Sequence, residues 1–245
     1  MSENATGEID IEYQLRVHPR AKHVRLRMDP REGLIVTVPK RFDCRRLPAL
    51  LDRRADWIDQ ARWRQHTARA GLDPALLGSR PERIELTAMD RRWVVEYEAA
   101  PGPRLGLQEQ GSKLILRLPM LDSAQLDRRI SAALLRWLKR SASRFLSARV
   151  AELAREHGFN YRKVQIRNQR ARWGSCSFRG DLSLNARLLF CSPAACDYVL
   201  LHELVHTVHP DHSAAFWARV AELVPDYRDL QDQLRDVWLR LPNWV

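Results

Sequence analysis

Cysteine is scarce in this chain and carries no pattern. The four that occur, Cys44, Cys176, Cys191 and Cys196, form no CxxC pair and are too few for a disulfide framework in 245 residues. Reduced thiols in a cytosol are the expectation. No apolar run approaches the ~20 residues that a bilayer span requires, so no membrane partner is expected. The opening residues MSENATGEIDIEYQL hold acidic side chains and lack a basic start followed by an apolar core, so they do not read as a secretory signal. Internal repeats and low-complexity segments are absent too, and no methionine follows Met120. These absences together predict a soluble, cytoplasmic protein.

What is present is enough for a folded core: 45% of the residues are hydrophobic, in a chain long enough for one large domain or two small ones. Lys and Arg number 41 against 30 Asp and Glu, a formal net charge of +11. Such an excess attracts polyanions or acidic substrates, or serves only as a solvated surface.

Residues 1–11 read as a flexible leader. Three short runs, EYQLRV, HVRLRM and LIVTV, then alternate apolar with polar side chains and predict a small antiparallel sheet with one wet face. Asp29, Pro30 and Gly33 punctuate the last two as a hairpin turn. Between Arg45 and Arg69, Leu47, Leu50, Leu51, Trp57, Ile58, Ala61 and Trp63 recur at three- and four-residue steps, the period of an amphipathic helix. Residues 70–82 carry Gly71, Pro74, Gly78 and Pro81 and read as a linker. Strand-like runs resume at RIELTA, RWVVEYE and KLILRLP, broken by a turn at APGPRLG. Residues 12–118 are thus expected to form a β-rich N-terminal domain with one helix.

Residues 122–157 contain neither Pro nor Gly and place Leu126, Ile130, Leu134, Leu138, Phe145, Leu146, Val150 and Leu153 on one apolar stripe, which predicts a long helix stopped at His157-Gly158. Arg129, Arg136, Arg140 and Arg144 share roughly one face of it. That stripe is a candidate nucleic-acid contact along a phosphate backbone, with a solvated outer face as the alternative. VQIR, ARWGSCS and DLSLNARLL have β character and lead into the stretch LHELVHTVHPDHSAAFW. Residues 213–223 and 226–240 predict two further helices, with Trp217, Leu223, Leu230, Leu234, Trp238 and Leu241 packing behind the stretch.

That stretch carries the chemistry. His202 and His206, four apart on a helix, lie on one face about 6 Å apart along the axis, within reach of a single metal ion. Glu203 lies one residue along, where its carboxylate meets a metal-bound water. This is the HExxH pattern of zinc hydrolases. Ser192 and Pro193 suit the helix start. Pro210 is expected to end the helix about two turns after His202, with His209 leaving the helical path and the chain turning back to bring His212 to the metal. Glu222, on the following helix, and His209 remain alternatives for the third ligand. Three nitrogen ligands leave a fourth tetrahedral position for water, as catalytic zinc requires. The 202/206/212 spacing matches that of metzincins, but His209 stands where they place glycine and no later methionine supplies their turn. A ligating Cys176 would need a fifth position or the loss of one histidine. Gly174 reads as permitting a sharp turn. Arg172, Asn185, Arg187 and Tyr198 are candidate substrate-binding residues, with structural roles as the alternative.

The segment RWGSCSFRGDLSLNARLLFCSPAACDYVLLHELVHTVHPDHSAAFW, together with LRVHPRAKHVRLRMDPREGLIVTVPK and the following helix with DWI, resembles the YgjP-like family of zinc metallopeptidases, also described as having a WLM/SprT-like catalytic domain. The resemblance implies His202, His206 and His212 as metal ligands, Glu203 as general base, and RWGSCS as a family motif whose role the residues alone do not reveal. The expected architecture is α+β, a β-rich N-terminal domain followed over 119–245 by a zincin-like catalytic domain with an HExxH helix. The expected function is a zinc-dependent hydrolase holding one Zn2+ per chain, a metallopeptidase acting on a peptide or protein substrate. A nucleic-acid-associated module with a structural zinc and a metal-dependent nucleotide phosphohydrolase are the competing readings.

Overall fold

The computed structural model describes residues 11–29, 32–70, 78–169 and 172–245, the side chains of 68–70 apart. The chain divides into two compact units, residues 1–72 and 73–245. The sequence grouping of 12–118 as one domain differs from this division in where residues 83–118 fall.

In the first unit, β1 (Tyr13–His18), β2 (Arg25–Asp29) and β3 (Gly33–Pro39) form a sheet in the order β1-β3-β2. Strands β2 and β3 are antiparallel, as expected, but β1 pairs with β3 in parallel, so the sheet is mixed and not purely antiparallel. The turn between β2 and β3 uses Gly33 at φ +71° and the Asp29 carboxylate, which accepts from the Glu32 N–H; Pro30 lies outside the described residues. The single expected helix is broken at Arg53–Arg54 into α1 (Leu47–Asp52) and α2 (Ala55–Ala70). Leu34, Val36, Val38, Leu47, Leu51 and Ile58 form this unit's core. Trp57 and Trp63, although on the helical period, are exposed.

The second unit opens with β4 (Arg83–Leu86), β5 (Arg91–Ala99), β6 (Gly106–Gln110) and β7 (Lys113–Leu118), ordered β4-β5-β7-β6 with β5 and β7 parallel. Strand β6, GLQEQ, starts at the last residue of the expected APGPRLG turn and fills a stretch given no element from sequence. Next comes α3 (Ser123–His157), 35 residues long. The Asp122 side chain accepts from Gln125 N at 2.9 Å at its start, and Gly158, at φ +72°, closes its end. Every apolar position predicted for its inner stripe is buried except Phe145, which is half-buried. Trp137 on that stripe meets Trp93 of β5 edge-on, ring centroids 5.0 Å apart. One carboxylate serves both indoles: Glu109 accepts from Trp93 Nε1 and from Trp137 Nε1, each at 3.0 Å.

Strands β8 (Lys163–Arg167), β9 (Gly174–Cys176) and β10 (Asp181–Asn185) form a third sheet, β8-β10-β9, with β8 parallel and β9 antiparallel to β10. The β run does not extend through Leu189. The Asn185 side chain accepts from Arg187 N, and residues 186–190 turn into a short 3-10 helix. Helix α4 (Pro193–Val205) follows, then α5 (Ala214–Leu223) and α6 (Tyr227–Arg240). Arg149 of α3 grips Asp197 of α4 with two hydrogen bonds, 2.9 and 2.7 Å, which hold its guanidinium firmly charged. Among the described residues no helix is long and apolar enough to cross a membrane.

Replacing Glu109 by leucine strands two buried indole donors. The expected cost is about 2–4 kcal/mol in chemical denaturation, against a smaller loss for Glu109→Gln, which keeps one acceptor oxygen. Equal stability of the leucine variant would show that the bridge contributes nothing.

Candidate metal centre

Helix α4 is built to stay in place. The Ser192 hydroxyl accepts from Ala195 N at 3.2 Å, Pro193 occupies the first turn, and Val199, Leu200, Leu201, Leu204 and Val205 are buried. Its end differs from expectation. The helix stops at Val205, ahead of Pro210, because a tight turn takes up the last carbonyls. Thr207 N and Thr207 Oγ1 both donate to Leu204 O, and Val208 N and His209 N both donate to Val205 O. His206 is therefore the C-cap, not an interior residue. The chain then turns back through Pro210 and Asp211, whose carboxylate accepts from Ser213 N, and His212 returns to the helix face.

The three histidines converge. His212 Nε2 lies 3.2 Å from His202 Nε2 and 3.2 Å from His206 Nε2. Two nitrogens bound to one tetrahedral zinc at 2.0–2.1 Å stand ~3.3–3.4 Å apart, so the observed spacing is that of a ligand set. The protonation fits as well. His206 Nδ1 lies 3.0 Å from the carbonyl oxygen of His209, an atom that only accepts, so the ring proton sits on Nδ1 and Nε2 is a bare lone pair. Burial and the neighbouring imidazoles push His202 down to about 3, and burial lowers His206, so both stay neutral. Three imidazole nitrogens gathered this closely could share one metal ion. Among the described residues, this is the one group of three or more His, Cys, Asp or Glu side chains placed to hold a metal.

Aromatic rings form the floor. Phe216 is fully buried and packs against all three imidazoles, with centroids 4.4–4.9 Å away. Trp217 stacks on His212 at 5.6 Å. The sequence reading placed Trp217 behind the site and missed Phe216, although it stands four residues after His212 within the same stretch.

Glu203 is 5% exposed, and its Oε2 has no partner. Burial raises its carboxyl to about 8, opposed by the charge of Arg172. This buried carboxyl oxygen without a partner lines the same cleft as the three histidines. Gly174 explains the carboxylate's position. A Cβ added there would lie 2.5 Å from Glu203 Oε1, 2.7 Å from Cγ and 2.8 Å from Cδ. Gly174 sits in β9 without a positive φ, so the expected sharp turn is not its role. It is glycine because the carboxylate occupies the space a side chain would fill.

The candidate substrate residues separate. Asn185 is fully buried, and its Nδ2 donates to Gln169 O and Arg172 O, both at 2.8 Å. Arg187 is buried too, donates to Gln169 O, and stacks over Trp238 at 5.2 Å. Both fasten the segment leading into β9 and neither lines the cleft. Tyr198 is buried beside His202, its Oη 3.5 Å from Nδ1 and held by Gln231 Nε2 at 2.8 Å, so it faces a ligand and not the cleft. Arg172 is exposed and acts on Glu203 through its charge. Of the rival ligands, Glu222 is exposed and paired with Arg219 at 2.6 Å, and His209 contributes its backbone carbonyl. Cys176 lines the cleft but stands outside the triad, its thiol pushed up to about 11 by burial and by Glu203. Arg136, Arg140 and Arg144 are exposed along α3, as is Arg129, which donates to Pro103 O at 2.7 Å.

The cleft itself measures about 610 Å3. Residues 174–178 line one side; His202, Glu203, His206, Thr207, Val208, Pro210 and His212 complete it.

Comparison with known proteins identifies a family. The YgjP-like, metallopeptidase domain model matches residues 22–237. The crystal structure of the metallopeptidase zymogen of Pyrococcus abyssi abylysin is similar to 39% of this chain and 95% of that one, at 23% identity and a TM-score of 0.35. No curated protein matches. The matched segment includes the three histidines, Glu203 and Gly174, and spans most of the chain, which belongs to the YgjP-like metallopeptidase family.

Proposed function

We propose that this chain is a zinc-dependent metallopeptidase in which His202, His206 and His212 hold one metal ion and Glu203 is the general base. One observation carries the reading: three imidazoles, with His212 Nε2 3.2 Å from the Nε2 atoms of both His202 and His206, stand in the same cleft as a buried carboxyl group with an unpartnered oxygen. Held by these three histidines, zinc would supply Lewis acidity to the cleft. Glu203 is placed to take a proton from an attacking water there and to return it to a leaving amine nitrogen. Tyr198 and the His209 carbonyl keep the His202 and His206 rings turned inward. The rings of Phe216 and Trp217 exclude water behind them.

Strand β9 suits an extended substrate. Trp173 O accepts from Asn185 N and Ser177 N donates to Asp181 O, so by antiparallel alternation the backbone groups of Gly174 and Cys176 turn away from β10. A peptide adding to that edge runs past Glu203. The nucleotide reading draws no support from the cleft, since among the described residues that line it none is Lys or Arg, the side chains a polyphosphate needs.

Purified protein should hold about one zinc per chain, and Glu203→Gln should keep it while losing ~10²–10⁴-fold in peptidase activity. Undiminished activity sinks the mechanism. Metal content after chelator competition should drop for His212→Ala and stay at the wild-type level for Glu222→Ala; the reverse ranking moves the third ligand. Gly174→Ala should retain zinc but lower kcat at least ~10-fold, because Glu203 must give way to the new methyl group. Full activity in that variant would show that the carboxylate's position is not critical.

A further inference from the structure

We propose that Phe178 and Val208 form an apolar grip at the mouth of the cleft that selects substrate segments carrying apolar side chains near the scissile bond. The proposal rests on the metallopeptidase reading and deepens it. Phe178 is 99% exposed and Val208 61% exposed, yet both line the cleft, the first from the strand side and the second from the turn after α4.

Neither side chain is on a loose loop. Phe178 sits in a turn closed by Gly180 N donating to Ser177 O at 2.9 Å, with the Ser177 hydroxyl accepting from Asp181 N at 3.0 Å. Arg162 fastens the same turn, donating its N–H to Gly180 O at 2.8 Å and pairing its guanidinium with Asp181. Val208 is held by its N–H to Val205 O at 3.0 Å. Large apolar groups left in water on pre-ordered backbone lose little entropy when something covers them.

The rest of the lining says what covers them. Besides Glu203 and the three histidines, the described residues that line it are Gly174, Ser175, Cys176, Ser177, Thr207 and Pro210, with no Lys, Arg or Asp among them. In a chain of net charge +11, that uncharged surface suits an apolar side chain on an extended peptide and not an anion. Phe178 stands two residues beyond the end of β9, so a substrate strand along β9 would bring a side chain beyond the one level with Gly174 toward it. Val208, two residues past His206, lines the same cleft from the turn after α4.

The test uses the zinc-loaded Glu203→Gln protein and two fluorescein-labelled peptides of ~10 residues, one with Leu or Phe flanking the central bond and one with Ser there. Anisotropy titrations should show the apolar peptide binding about tenfold tighter. Adding Phe178→Ser should remove most of that preference and Val208→Ser part of it, with zinc content and circular dichroism unchanged. Equal affinity for the two peptides, or a preference that survives the double variant, overturns the grip. Wild-type protein that cleaves neither peptide while the preference persists would overturn the peptidase reading and leave the grip standing. Cleavage of both without preference would do the reverse.

Discussion

Three imidazoles gathered at one point, with His212 Nε2 3.2 Å from the Nε2 atoms of both His202 and His206, are the constraint around which the second unit is arranged. Left alone, such groups repel and would rotate toward water. What holds them is distributed: a phenol and a backbone carbonyl behind two of the rings, a fully buried phenylalanine beneath all three, and a turn that brings His212 back across the end of α4. The cost of holding them is set against the metal affinity it creates.

The scaffold supplies rigidity at one remove. Arg149 and Asp197 fix α4 to the 35-residue α3, and α3 is fixed to the preceding sheet by two tryptophans sharing one carboxylate. Gln169 and Arg172 carbonyls are pinned by Asn185, so β9 enters the cleft at a set height. At that height the backbone of Gly174 touches the carboxylate of Glu203, and strand and base share one position.

Local signals were legible in the sequence where local physics decides. The limits of α3 follow from its apolar period, its freedom from Pro and Gly, and Gly158; the start of α4 follows from Ser192 and Pro193. The spacing of His202, His206 and His212 anticipated a set of nitrogens that does converge. What stayed hidden depends on partners distant in the chain. The parallel pairing of β1 with β3 is a tertiary choice that alternation cannot express. Strand β6, GLQEQ, is too polar to stand out, because its key residue, Glu109, is there to accept from two indoles. For Asn185 and Arg187 a substrate contact and a structural role stayed open together, since buried polar residues and binding residues share a composition and only the carbonyls they reach tell them apart. Gly174 read as a turn because its reason, the Glu203 carboxylate, lies 29 positions away and on another element.

The return of the chain from His206 to His212 gives the metal centre a second meaning. A metal bound there ties residues 202 and 212 across a closed loop, the task a disulfide performs in secreted domains, in a chain whose four cysteines are all free thiols. The same loop carries Val208 and supplies the carbonyl that orients His206. On the proposed function, metal occupancy and the order of one wall of the cleft would be linked equilibria, one ion serving both the chemistry and the shape of the cleft.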